Sequence, residues 1–266
     1  MTDWKKVLLS DIYYFNNQIA NVPVLERDMF KGADLSNIDL SKAYIKSFDL
    51  SGSNLTNAIV PGYLLSTCRL EKTLLNNIAF DDLYWKPVIE NIQFIWQGAA
   101  IWNLLKIKDS PILLNESCFN YLAGVEYDFS DIMFTSSNFL HAHFNKTILS
   151  STLFTGSNMD ECLFQNIPLH DVTFNNAKLR NSVWSDCRLV NTRIVEADLQ
   201  DSNFKNCHFD YVSFNDSSCQ SSVFEHCNFS NCSFFSTDLS NCHFLNCTFE
   251  NANLSFGKTD NMIKRE

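Results

Sequence analysis

Residues 129–154 read FSDIMFTSSNFLHAHFNKTILSSTLF, and every fifth letter is large and apolar: Phe129, Phe134, Phe139, Phe144, Leu149 and Phe154. The step continues without a miss through Met159 and Phe164 to Phe244, Phe249 and Leu254, 26 consecutive centres of which Cys219 is the smallest. Two residues before each centre sits something small or β-branched, such as Ala142, Thr152, Cys162, Val172 and Ala197. A five-residue period with a second inward position fits neither the 3.6 of a helix nor the 2 of a flat strand. It demands a solenoid, whose coils pack only on their neighbours.

If four pentads close one square turn, residues twenty apart stack, and the centres sort into coherent columns. Phe134, Phe154, Phe174, Ile194, Phe214, Phe234 and Leu254 form one; Phe144, Phe164, Trp184, Phe204, Phe224 and Phe244 form the column opposite. Rings about one strand spacing apart, ~4.8 Å, would plug the interior. The column between them (Phe139, Met159, Leu179, Leu199, Cys219, Leu239) is mainly aliphatic.

Working outward, an earlier run of 11 centres extends from Leu35 to Trp85, its inward partners running from Ala33 to Leu83. Bulky partners late in this run, such as Tyr63, Ile78 and Leu83, predict distorted coils. The two runs are out of register by one residue. Between them Val88, Ile92, Ile95, Ala99 and Trp102 step by three and four, the spacing of one helical face, which predicts a helix over 87–106. The second run starts near Ile112, although Gly124 fails its register. Trp4, Val7, Leu8, Ile12 and Phe15 predict a short amphipathic helix before residue 17, behind a cap at Thr2 or Asp3, covering the first coil. The expected organisation is a capping segment (1–30), a first run (31–85), a helical insert (86–111), a second run (112–256) and a charged tail (257–266) that leaves the repeat and carries Lys258, Lys264 and Arg265.

Composition narrows function by exclusion. Only 7 glycines occur in 266 residues, none in a GxGxxG or Walker-type run. A formal charge of −10 argues against nonspecific affinity for nucleic acid or anionic membranes. No stretch reaches the ~18 apolar residues of a membrane helix, and the polar-broken residues 1–17 do not resemble a secretory signal. Residence in the cytoplasm, or secretion without a cleavable signal, is expected.

Stretches such as Ala33-Asp34-Leu35-Ser36-Asn37, Ala197-Asp198-Leu199-Gln200-Asp201 and Ala252-Asn253-Leu254 resemble the A(D/N)LXX unit of pentapeptide-repeat proteins. That resemblance implies an all-β solenoid, a right-handed quadrilateral β-helix, here in two register-shifted runs with a short N-terminal helix and a helical insert. It also implies candidate functions. Bacterial members include signal-less secreted effectors that use the coil as a non-enzymatic protein-interaction scaffold, which is the leading expectation. The alternative is an acidic DNA mimic that binds and protects gyrase or topoisomerase IV, as in quinolone resistance; an immunity role is a third. Residues 129–254 carry 13 acidic and 6 basic residues. The same length of duplex DNA, roughly 31 Å, would carry about 18 phosphates.

Sites for chemistry are scarce. Eight cysteines (Cys68, Cys162, Cys187, Cys207, Cys227, Cys232, Cys242 and Cys247) fall at the small inward position, where a thiol is a compact hydrophobe. Cys187, Cys207, Cys227 and Cys247 should stack, but parallel thiols cannot converge tetrahedrally on one ion. His141 and His143 offer two ligands at most, and Glu196 with Asp216 reads as a solvated pair. Asparagines after the centres, from Asn166 to Asn251, read as turn residues. No catalytic, metal or cofactor site is expected. The candidate interaction residues lie in the insert: Val88, Ile92, Ile95, Trp96 and Trp102. The expected partner is another protein, with a homodimer through an uncovered coil end as a further expectation.

Overall fold

Residues twenty apart lie side by side wherever the repeat runs. The computed structural model describes residues 4–22, 27–106, 112–253, 255 and 257–265, and separates into two compact units, Met1–Leu105 and Lys106–Glu266. In the second unit an eight-stranded parallel sheet stacks Ala123–Val125, His143–Asn145, Leu163–Gln165, Val183–Ser185, Asn203–Lys205, Val223–Glu225, His243–Leu245 and Ile263–Arg265 in that order. A five-stranded parallel sheet runs from Pro168–His170 to Thr248–Glu250. Isolated parallel bridges, such as Leu153↔Thr173↔Arg193 and Asn158↔Lys178↔Asp198, complete the other two sides. The fold is the four-sided β-helix expected from the period, and the final centre of the sequence pattern, Leu254, lies outside the described residues.

Each corner is a tight turn. Phe174 accepts a hydrogen bond from the N–H of Ala177 at 3.0 Å, and the residue between them, Asn176, has φ +58°. Such a turn requires a positive φ at its third residue, a conformation Asn tolerates better than most side chains. All nine asparagines read as turn residues occupy this position, with φ from 51° to 60°.

Packing follows from the two inward positions. Phe134, Phe154 and Phe174 stack with centroids 5.4 and 5.3 Å apart, and Phe144, Phe164, Trp184, Phe204, Phe224 and Phe244 form the opposite column at 3.8–5.6 Å. Edge-on contacts, such as Phe139 to Phe154 at 5.5 Å, tie neighbouring columns together, so these rings fill the interior between the columns they belong to. The small position does more than fit. The Thr152 hydroxyl donates to the Phe129 carbonyl at 2.8 Å, Ser157 to Phe134 at 2.6 Å and the Cys162 thiol to Phe139 at 3.0 Å, each reaching 23 residues back. Ser, Thr and Cys therefore add a hydrogen bond between coils where Ala would not.

Gly124 keeps the register after all: it pairs with Phe144 in the eight-stranded sheet as a centre without a side chain. A Cβ there would lie 3.1 Å from the Phe144 ring, so the aromatic column begins on bare backbone. The tail also differs from expectation. Ile263–Arg265 pairs with His243–Leu245, and Lys258 bridges Asp238, so the coil outlasts its apolar centres.

In the first unit, α1 (Trp4–Ser10) and α2 (Ile12–Ile19) replace the single expected helix, because the Asp11 side chain accepts the Tyr14 N–H and starts a new helix. Phe15 packs on Phe30 and Phe48. Asn16 supplies a side-chain amide where a preceding coil would supply backbone: its Nδ2 donates to Lys42 O at 3.0 Å and its Oδ1 accepts from Tyr44 N at 2.8 Å. The distorted part of the run contains α3 (Gly62–Ser66), which leaves Tyr63 52% exposed. Leu83 and Trp85, read as a pentad, are instead an exposed residue and the first residue of α4 (Trp85–Gln97). Gly98, at φ 111°, ends α4 and separates it from α5 (Ala99–Leu105).

An Asp or Asn before a centre caps its own turn, as at Asp34, Asp128, Asn158 and Asp238. Asp238 Oδ1 accepts from Ser240 N at 3.0 Å and Ser240 Oγ at 2.7 Å, its Oδ2 accepts from Gln220 Nε2 at 2.7 Å, and Lys258 Nζ lies 3.4 Å away. Burial raises its pKa, but these donors and Lys258 outweigh it and hold the carboxyl at about 2. A folded pKa below the unfolded value contributes stability above pH ~4 that is lost as pH falls through ~2. The urea midpoint should therefore fall across that window. Asp238→Asn should flatten the fall while changing little between pH 5 and 7; an unaltered acid profile would remove Asp238 from the account.

Candidate interaction surface

A filled interior leaves only outward positions to meet other molecules. On the eight-stranded sheet these form two parallel columns, because side chains flanking an inward centre both point out. One column runs Leu163, Val183, Asn203 and Val223 in direct register. Leu163 and Val183 are each 37% exposed. Its neighbour is polar: Gln165 Oε1 lies 3.0 Å from His143 Nε2, and Lys205 Nζ pairs with Glu225 at 3.2 Å. The sheet thus offers a partly aliphatic column, interrupted by Asn203, beside a hydrogen-bonding rail, and its length needs no loop to present it.

The insert residues fall elsewhere. Val88, Ile92, Ile95 and Trp102 are buried, at 8, 0, 0 and 0% exposure. Trp96 is half-buried beneath the Arg69 guanidinium, 5.6 Å from its ring centroid. The helical period was read correctly as an apolar face. That face is consumed by packing, so it does not serve as a free surface; the outward positions of the sheet were visible in the register but carry no signal beyond being aliphatic.

The cysteine column is a packing feature. All ten cysteines are free and nine are buried. Burial pushes the Cys162 thiol far above its usual value, and bonding with Cys207 together with burial does the same for Cys187. Cys247, half-exposed, is shifted the other way, chiefly by its bond with Cys227. His141 does have a stacked carboxylate, which the sequence reading overlooked: Glu161, one coil on, lies 3.2 Å from Nδ1, with Tyr121 stacked on the ring at 5.0 Å. Among the described residues no group of three or more His, Cys, Asp or Glu side chains is placed to hold a metal ion. No helix among them is long and apolar enough to cross a membrane.

Negative charge is spread around the coil. Carboxylates at left-handed corners fall on all four edges of the square: Glu116, Glu196 and Asp216 on one, Glu161 and Asp201 on the next, Glu126 and Asp186 on the third, Asp131 and Asp171 on the fourth. No edge carries an unbroken acidic row.

Two family models agree with this repeat. Residues 127–204 match the family model described as a pentapeptide repeat region, and residues 33–71 match pentapeptide repeats in 8 copies. Residues 168–254 also match the model of the SV2A/B/C luminal domain. No curated protein matches the chain. Among solved structures the chain is similar to HetL, a pentapeptide repeat protein involved in heterocyst differentiation regulation in the cyanobacterium Nostoc sp., at 12% identity over 84% of this chain and 86% of that one, with a TM-score of 0.36. It is also similar to full-length QnrB1, a plasmid-mediated fluoroquinolone resistance protein, at 12% identity over 59% of this chain and 93% of that one, with a TM-score of 0.35.

Proposed function

We propose, from the premise that this chain is a pentapeptide-repeat protein, that it is a non-enzymatic scaffold which binds another protein through the outer face of its eight-stranded sheet. The observation that carries this reading is the outward column of Leu163, Val183 and Val223, interrupted by Asn203, beside the polar rail of Gln165, Lys205 and Glu225. A flat, rigid strip loses little conformational entropy on binding, and apolar contacts flanked by hydrogen-bonding groups are the usual make-up of an interface centre.

The alternative, an acidic DNA mimic that binds gyrase or topoisomerase IV, is favoured by the formal charge of −10. It is weakened by the scatter of carboxylates over four edges, since duplex DNA presents continuous rows of phosphate. Capture from bacterial and host lysates decides between them, and also reports whether the partner belongs to a bacterial cell or to one that receives a secreted effector. With Leu163→Asp and Val183→Asp together, capture of the main partner should drop by about tenfold or more while the unfolding free energy from urea titration falls by no more than ~1 kcal/mol. Undiminished capture would remove the strip from the proposal, and gyrase as that main partner, insensitive to both substitutions, would favour the mimic.

A further inference from the structure

On the side that begins at Leu35, each coil hands two backbone donors to the next one. Leu35 and Asn37 donate to the carbonyls of Asn54 and Thr56, and Leu55 and Asn57 to those of Leu74 and Asn76, always nineteen residues on. At Leu75 and Asn77 the sequence stops supplying acceptors, because the residues nineteen further on belong to α4. Gln93 partly closes this end, its Nε2 reaching the Thr73 carbonyl at 3.5 Å. The N–H groups of Leu75 and Asn77 have no acceptor among the described residues. Leu75 and Asn77 line a groove of about 590 Å³ between the coil edge 75–80 and α4.

The groove matches one kind of occupant. Its floor is the uncapped edge, with two donors two residues apart, which suits a strand offering alternate carbonyls. Its walls mix apolar and polar groups: Leu75, Ile78 and Phe80 are half-buried, Ile89 is buried, and Leu83 stands 80% exposed at the rim, with Asn76 and Gln93 beside them. Glu90 and Lys86 line it, and directly after the edge in sequence come exposed Asp82 and Asp81, the latter accepting the Gly62 N–H at 2.8 Å, so carboxylates outnumber the ammonium in this region. At the other end of this unit the corresponding backbone groups are met by Asn16, so a coil edge left open is not the rule here. We infer that this groove binds an extended, cationic peptide segment of a partner protein, which adds to the coil edge as one more strand and places its basic side chains against Glu90 and Asp82. The site is separate from the sheet strip proposed above and does not depend on it.

The test uses the full chain, isotope-labelled, with amide resonances followed as a blocked pentapeptide of alternating valine and lysine is added. The Leu75 and Asn77 amides should shift and saturate. The same peptide with glutamate for lysine should bind about fivefold more weakly or worse, and Glu90→Lys, on the exposed face of α4, should weaken the lysine peptide by a similar factor. Leu163→Asp with Val183→Asp should leave these shifts unchanged, so failure here and failure of the sheet strip are read separately. Absence of shifts at both amides up to millimolar peptide would overturn the inference, as would equal response to the two peptides. Shifts that appear on concentrating the protein alone would assign the groove to a second copy of this chain, and would overturn it too.

Discussion

Replacing Phe154 by alanine is expected to destabilise the second unit by about 3–5 kcal/mol, the range for emptying a buried aromatic site. Phe154 is fully buried and touches rings on four sides: Phe134 and Phe174 above and below at 5.4 and 5.3 Å, and Phe139 and Phe144 edge-on at 5.5 and 6.4 Å. The cavity cannot collapse, because the hydrogen-bonded coils on either side hold their spacing at ~4.8 Å. Loss of one layer also divides an array whose stability is carried by nearest-neighbour contacts. The melting temperature should fall by roughly 10 °C, and tryptophan emission from Trp184, in the opposite column, should report the transition. Phe154→Leu should cost clearly less, since most of the volume is kept. A cost of under about 0.5 kcal/mol for the alanine would mean that the interior is not packed as described.

The second large effect is expected at Gly62. A Cβ added there would lie 2.3 Å from Cβ of Trp85, at the first residue of α4, with two further ring atoms within 2.8 Å. The obstacle is the root of a side chain, so no rotamer change relieves it; α3 and the start of α4 must part. Gly62→Ala should therefore cost about 1–3 kcal/mol, in the range for overpacking. Trp85→Gly removes the opposing Cβ, and the double variant should be more stable than the sum of the single losses implies, a coupling measurable in a double-mutant cycle. Strict additivity would show that the two elements do not meet there.

What was legible in the sequence is whatever the side chains repeat. The centres and their inward partners predicted the coil, the columns and the corners, because each coil asks the same volume of every layer. Features made by backbone alone left weaker traces. Residues 62–66 keep the five-residue step with Leu65, between Val60 and Leu70, yet fold as α3; bulky Tyr63 at the small position and the Pro61-Gly62 dipeptide were the signs of a break. Gly124 was read as a miss because it has no side chain to count, although its backbone keeps the ladder. Beyond residue 257 the centres turn polar, at Thr259 and Lys264, while Leu239 N and Asn241 N still donate to Lys258 O and Asp260 O. The insert failed in a different way. An apolar helical face reads the same whether it awaits a partner or packs at home, and here Ile92, Ile95 and Trp102 are packed. The bonds of Ser, Thr and Cys to carbonyls 23 residues back were equally hidden, since a small residue explained itself by size.

The central claim is that residues twenty apart are neighbours and that the outward columns they build run unbroken up one face of the second unit. Spin labels test it directly. In a Cys247→Ser background, where the remaining cysteines are buried, labels replacing His143 and Val223 sit four coils apart, and labels replacing His143 and His243 five. At ~4.8 Å per coil, the mean distances should be roughly 19 and 24 Å. An increment near one coil spacing for twenty added residues is the result this account requires; distances that do not grow with that step would contradict it.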